Sequence, residues 1–126
     1  MSDIVLKTAS APSAIGPYSQ GIRHGDLLFC SGQIAIDPAT NTMVEGGIEE
    51  QAHQVCKNIM ALVAAAGATP ASIVKTTVFI TNIADFGKVN EIYASYFAEP
   101  FPARSCVGVA SLPKGALLEI EVIVGL

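Results

Sequence analysis

The sequence predicts an α+β fold, with a six-stranded mixed sheet and two helices packed on one of its faces. Three observations point there. Two stretches repeat apolar residues at three- and four-residue steps, and several runs are dense in β-branched residues. Single Gly and Pro residues separate these segments, without an internal repeat, low-complexity tract or linker. At 126 residues the chain is long enough for one domain with a real core, spanning 1–126, and too short for two ordinary ones.

Taken in order, LLFCSGQIA at 27–35 has strand composition, and HGD at 24–26 supplies the turn before it. Ile48, Ala52, Val55, Ile59, Leu62 and Val63 then recur with helical period, and Gly67 follows where a helix end favours positive φ. IVKTTVFIT at 73–81 is the most β-branched run in the chain. After it Phe86, Val89, Tyr93, Tyr96 and Phe97 resume the helical period, with Asp85 as N-cap and Pro100 closing the segment. ARSCVGV at 103–109 and LLEIEVIV at 117–124 read as strands joined through the SLPKGA turn. The predicted order is β-β-β-α-β-α-β-β.

Two helices cannot cover both faces of six strands, so one sheet face stays partly apolar. The hydrophobic share of 51% against 14% charged residues points the same way, to a surface covered by self-association. The net charge of −4, with no cluster of Lys or Arg, argues against nucleic acid as the main partner. Cys30, Cys56 and Cys106 are odd in number and far apart, which suggests neither a disulfide framework nor a zinc site and fits a reducing, cytoplasmic location. MSDIVLKTAS has neither the features of a signal peptide nor those of a transit peptide. The longest uncharged stretch, 58–74, is interrupted by Gly67 and Pro70, so no membrane span is expected.

Within ARSCVGV, alternation puts Arg104, Cys106 and Gly108 on one face and Ala103, Ser105, Val107 and Val109 on the other. The apolar set is expected to meet the helices, which sends Arg104 to the open face. There it either pairs with a carboxylate of a neighbouring subunit or anchors an anion in a cleft between subunits. Glu119 and Glu121 share one face of LLEIEVIV and are expected on the same side as Arg104, as salt-bridge partners for it or for Lys114. Glu119 also fits a proton carrier, because a carboxylate partly removed from water has a raised pKa. Cys106 beside Arg104 is either a thiolate nucleophile or a buried neutral thiol. Tyr18 in GPYSQG, Ser31 and Gly32 in SGQ, and Asn90 in the second helix are ordinary packing and turn residues or parts of a site.

Together these segments carry a family signature. GPYSQG at 16–21, SGQIAIDP at 31–38, VEGGIEEQ at 44–51, the 74–97 stretch and PARSCVGVASLPKGALLEIE at 102–121 closely resemble the reactive-intermediate deaminase A (RidA) family, once called YjgF-like. The resemblance implies a chorismate-mutase-like fold and a homotrimer built through the open sheet faces, with sites between subunits. It implies hydrolysis of 2-imino acids such as 2-iminobutanoate and 2-iminopropanoate, formed from enamines that pyridoxal-phosphate-dependent dehydratases release, to 2-oxo acids and ammonia. It casts Arg104 as the substrate-carboxylate anchor and Glu119 as the acid that handles water, with Tyr18, Ser31, Gly32, Asn90 and the backbone around Cys106 lining the site. No cofactor and no metal is implied, because a protonated imine is already an activated electrophile. A ribonuclease or translation inhibitor, and a non-catalytic protein that binds small carboxylic acids, are the alternatives.

Overall fold

IVKTTVFIT forms the strand on which the sheet is organised. The computed structural model describes residues 4–126, and the first three residues of the MSDIVLKTAS start lie outside it. The elements are β1 (Val5–Leu6), β2 (Gly21–His24), β3 (Leu27–Cys30), β4 (Ile36–Asp37), β5 (Thr42–Met43), α1 (Ile48–Ala65), β6 (Ile73–Ile80), α2 (Phe86–Tyr96), β7 (Ala103–Gly108) and β8 (Leu118–Gly125). Six strands form one sheet in the order β1-β2-β3-β8-β6-β7. The β6–β7 pair is parallel and the other pairs are antiparallel, so the sheet is mixed, as predicted. Parallel neighbours need a crossover, and α2 supplies it.

The turns follow residue chemistry. β2 and β3 are joined by Gly25 and Asp26, with Gly25 at φ +61°, the sign a two-residue hairpin needs at its first loop position. Gly67 takes φ +74° just after α1, as its place in the sequence predicts. The small β4–β5 hairpin was not anticipated. It forms because the Asp37 carboxylate accepts from the Ala39 N–H at 2.9 Å and Asn41 adopts φ +59°, a local turn that hydrophobic periodicity does not signal.

Asp85 stands at the N-cap position of α2, as predicted, but its side chain makes no capping hydrogen bond. The Asn82 side chain accepts from the Ala84 N–H at 3.1 Å and starts a 3₁₀ turn over Ile83–Asp85, so Asp85 is already helical when α2 begins.

Both helices lie on one face, over a core of Leu28, Val55, Ile59, Leu62, Val78, Ile80, Leu118, Ile120, Val122 and Val124. Ile22, Leu27, Phe29 and Val107 remain exposed. Ile22 and Phe29 are cross-strand partners on the face away from the helices.

β7 reverses the predicted facing. Arg104 pairs in register with Thr76 and Cys106 with Val78, both buried residues of the helix side, so Arg104 and Cys106 lie toward α2. Ala103, Ser105 and Val107 face the open side. Apolar alternation misleads here because both sides of this edge strand are partly apolar, so pattern alone does not choose between them. Glu119 is paired with Phe79 and Glu121 with Thr77, and Phe79 is three residues from Thr76. An odd separation along a strand means opposite faces, so neither acid shares a side with Arg104.

Candidate active site

The residues singled out from the sequence fall into two groups on opposite faces of the sheet. Glu119 anchors the first. The chain leaves β3 at Ser31, and Gln33 rejoins the sheet by exchanging backbone hydrogen bonds of 2.8 and 3.1 Å with Ile120. This bridge sets Gly32 against the Glu119 side chain. The Ser31 N–H donates to the Gln20 carbonyl at 2.9 Å, and the Ser31 hydroxyl donates to the Ser19 carbonyl at 2.6 Å. Two bonds therefore tie GPYSQG to the end of β3.

Gln20 secures the rest of this loop. Its buried side-chain oxygen accepts from the Thr8 N–H at 2.8 Å, while its amide nitrogen donates to the carbonyls of Thr8 at 3.0 Å and Pro12 at 2.8 Å. Within GPYSQG nothing marks Gln20 for this role, because a polar residue reveals its burial only through the partners that satisfy it. The fixed loop presents Tyr18 at the rim. Tyr18, Ser31, Gly32 and Glu119 line one cavity of about 570 Å³, with Lys114 and Glu121 also on its wall.

Partial burial raises the Glu119 pKa, and the nearby Glu121 charge adds to the rise. A carboxyl shifted toward neutrality exchanges protons more readily near neutral pH than an ordinary glutamate.

Arg104 anchors the second group. Phe86, Asn90 and Tyr93 are spaced by four and three residues, which aligns them as one stripe of α2. Arg104 Nη1 donates to Asn90 Oδ1 at 2.8 Å. Its guanidinium carbon lies 4.8 Å from the Tyr93 ring centroid and 5.2 Å from that of Phe86. Asn90, Tyr93, Phe101 and Arg104 line a cleft of about 390 Å³. The expected salt bridge to Glu119 or Glu121 is not formed: among the described residues Arg104 meets an amide and two ring faces.

Cys106 lies two residues along the same face. Burial pushes its thiol up, and the opposing pull of Arg104 is the smaller effect, so the geometry favours the neutral thiol over the thiolate. Cys30 and Cys56 are buried and pushed up to about 12. Among the described residues, no group of three His, Cys, Asp or Glu side chains is placed to hold a metal ion. No helix among them is long and apolar enough to cross a membrane.

The model for the family described as "Endoribonuclease L-PSP" matches residues 8–126. The chain belongs to this family, which includes the YjgF/Rid proteins. A human member, 2-iminobutanoate/2-iminopropanoate deaminase, is 48% identical over 94% of this chain and 87% of its own length. Two solved Rid relatives superpose closely. A Yersinia pestis protein of the conserved Rid family, YyfA, has a TM-score of 0.94 at 58% identity, covering 97% of this chain and 98% of that one. E. coli TdcF with bound serine has a TM-score of 0.91 at 44% identity, with the same coverage. The family and the α+β architecture anticipated from the sequence are thus shown.

Proposed function

We propose that this chain, a single domain over residues 1–126, is a cytoplasmic, cofactor-free deaminase. It hydrolyses reactive 2-imino acids such as 2-iminobutanoate and 2-iminopropanoate to 2-oxo acids and ammonia. The observation that carries the reading is the state of Arg104: a permanent cation beside a cleft, bonded to a neutral amide and meeting no carboxylate among the described residues. Its planar fork suits a substrate carboxylate bidentately. The names of the human relative and of others between 45% and 48% identical support the same reaction.

In this reading a homotrimer brings the two groups together. Arg104 and Glu119 of one chain face apart, so a substrate only a few ångström long, held by one copy's Arg104, meets the Glu119 of another copy. The apolar open face is the surface that copies would bury.

The chemistry needs little else. With the carboxylate held, Glu119 takes a proton from water as its oxygen adds to C2 of the protonated imine, giving a carbinolamine. Glu119 returns that proton to nitrogen, the C–N bond breaks with its electron pair leaving on ammonia, and Glu119 takes the remaining hydroxyl proton as the oxygen becomes the 2-oxo group. Ser31, Gly32 and Tyr18 shape the water side, Asn90 fixes Arg104, and the backbone at Cys106 completes the carboxylate side.

The test mixes the protein with a threonine dehydratase and threonine and follows 2-oxo acid release. Acceleration over buffer supports the reading, and its absence overturns it.

The family's description favours a second reading, RNA cleavage. The net charge of −4 weighs against it, and steeply salt-dependent RNA binding would revive it. Binding without turnover is the third, and stabilisation by 2-oxo acids without hydrolysis would favour it.

A further inference from the structure

The surroundings of Arg104 hold a second layer of construction. An arginine on an edge strand has a long, mobile stem, and immobilising such a side chain costs rotamer entropy at each binding event unless the fold has already ordered it. Asn90 makes one bond to one guanidinium nitrogen, which leaves the plane of the group free to swing about that contact. The two ring faces restrict the swing, and they are not equally fixed.

Phe86 stands at the start of α2 and is only partly buried. Tyr93 is buried, lies nearer the cation and is held by two contacts. Its hydroxyl is hydrogen-bonded to the Thr76 Oγ1 at 2.9 Å, and its ring stacks on Phe97 with centroids 3.9 Å apart and planes 9° from parallel. Thr76 is fully buried and is the residue opposite Arg104 in the β6–β7 ladder. Arg104, the Tyr93 ring, the Tyr93 hydroxyl, Thr76 and the ladder therefore form a closed circuit that begins and ends on β7. A hydroxyl pair would satisfy itself anywhere in the core. Placed here, it fixes the ring beneath the cation.

We infer that Tyr93, tethered by Thr76, is a positioning residue that holds the Arg104 guanidinium ready for a substrate carboxylate. The inference rests on the proposed role of Arg104 as that anchor. A cation over an aromatic face keeps its in-plane N–H groups available, so the ring restrains the group without occupying the donors that the carboxylate uses. Tyr93 touches no reacting atom in this scheme. Its loss should weaken carboxylate binding and leave the subsequent chemistry nearly unchanged.

The experiment measures 2-oxobutanoate binding by titration, KM and kcat with the dehydratase-generated imine, and thermal unfolding, all at one protein concentration. Tyr93→Leu is expected to weaken 2-oxobutanoate binding and raise KM by about tenfold while kcat changes less than about twofold. Tyr93→Phe keeps the ring but loses the hydroxyl tether, and is expected to raise KM by about threefold, well short of the loss in Tyr93→Leu. A folded Tyr93→Leu protein with unchanged KM and 2-oxobutanoate affinity overturns the inference. If that variant does not fold, Thr76→Val, which removes the tether and keeps the β-branched shape, takes its place. A rise in its KM of about threefold supports the inference, and no rise overturns it. Arg104→Lys separates the two layers: if it binds 2-oxobutanoate normally, the anchor role itself has failed; if it loses binding while Tyr93→Leu does not, only the positioning role has.

Discussion

The carboxylate of Glu119 lies so close to the α-carbon of Gly32 that a Cβ built there would come 2.9 Å from its carboxyl carbon. Real Cβ atoms do not approach so closely, so any larger residue at position 32 displaces the acid. The displaced atoms are the tip of a flexible side chain, and the fold can absorb the change. Gly32→Ala is therefore expected to change stability by less than about 1 kcal/mol and to lower kcat for imine hydrolysis by about tenfold or more, because a misplaced proton carrier forfeits much of its effect. Denaturation and steady-state assays on the same preparation check both halves.

Arg104→Lys keeps the charge and loses the planar fork. The expected cost is about 2 kcal/mol of transition-state binding, or roughly 30-fold in kcat/KM. The proposed trimer should survive, since Arg104 bonds to its own chain's α2. Sedimentation together with initial rates tests this, and near-normal kcat/KM would remove Arg104 from the site.

The raised pKa of Glu119 has a definite sign in both activity and stability. As base, it works when ionised, so the acidic limb of the rate profile should lie above the ordinary glutamate range, and Glu119→Gln should remove that limb with most of the activity. A carboxyl whose folded pKa lies above its unfolded value contributes stability below the unfolded pKa and loses it as pH rises through the folded one. At neutral pH the ionised Glu119 is thus a liability to the fold. Glu119→Gln should unfold at a higher temperature than the parent at pH 7, and the gap should close as the pH is lowered. A variant less stable at pH 7 would contradict the assignment.

Gln20→Ala removes a buried amide that serves the Thr8 N–H and the carbonyls of Thr8 and Pro12. Stranding these groups is expected to destabilise the protein by about 2–3 kcal/mol, read from urea denaturation at fixed protein concentration. Because the same amide shapes the loop carrying Tyr18, activity should fall even under conditions where the variant is fully folded.

Much of this architecture was legible in residue periodicity. The α1 stripe from Ile48 to Val63, the β-branched run of β6 and the alternation of Leu118, Ile120, Val122 and Val124 each bury the face that the pattern marks. The motif residues were legible too, and Tyr18, Ser31, Gly32 and Glu119 do converge on one cavity. The roles of Gln20 and of the Thr76–Tyr93 pair were not, because a polar residue announces its burial only through the partners that satisfy it, and those partners lie up to 17 residues away in the chain.

By itself, the sequence determined the two helices, the long strands between and after them, the α+β class and the family, since these depend on local period, turn chemistry and motifs. Only the tertiary structure decided which way β7 faces. Alternation says that Arg104 and Val107 point opposite ways, but not which of them meets α2, because apolar surface is present on both sides of this edge strand. The choice is made by the Phe86, Asn90 and Tyr93 stripe, whose rings and amide receive a guanidinium better than they would receive Val107. That packing puts Arg104 on the side opposite Glu119.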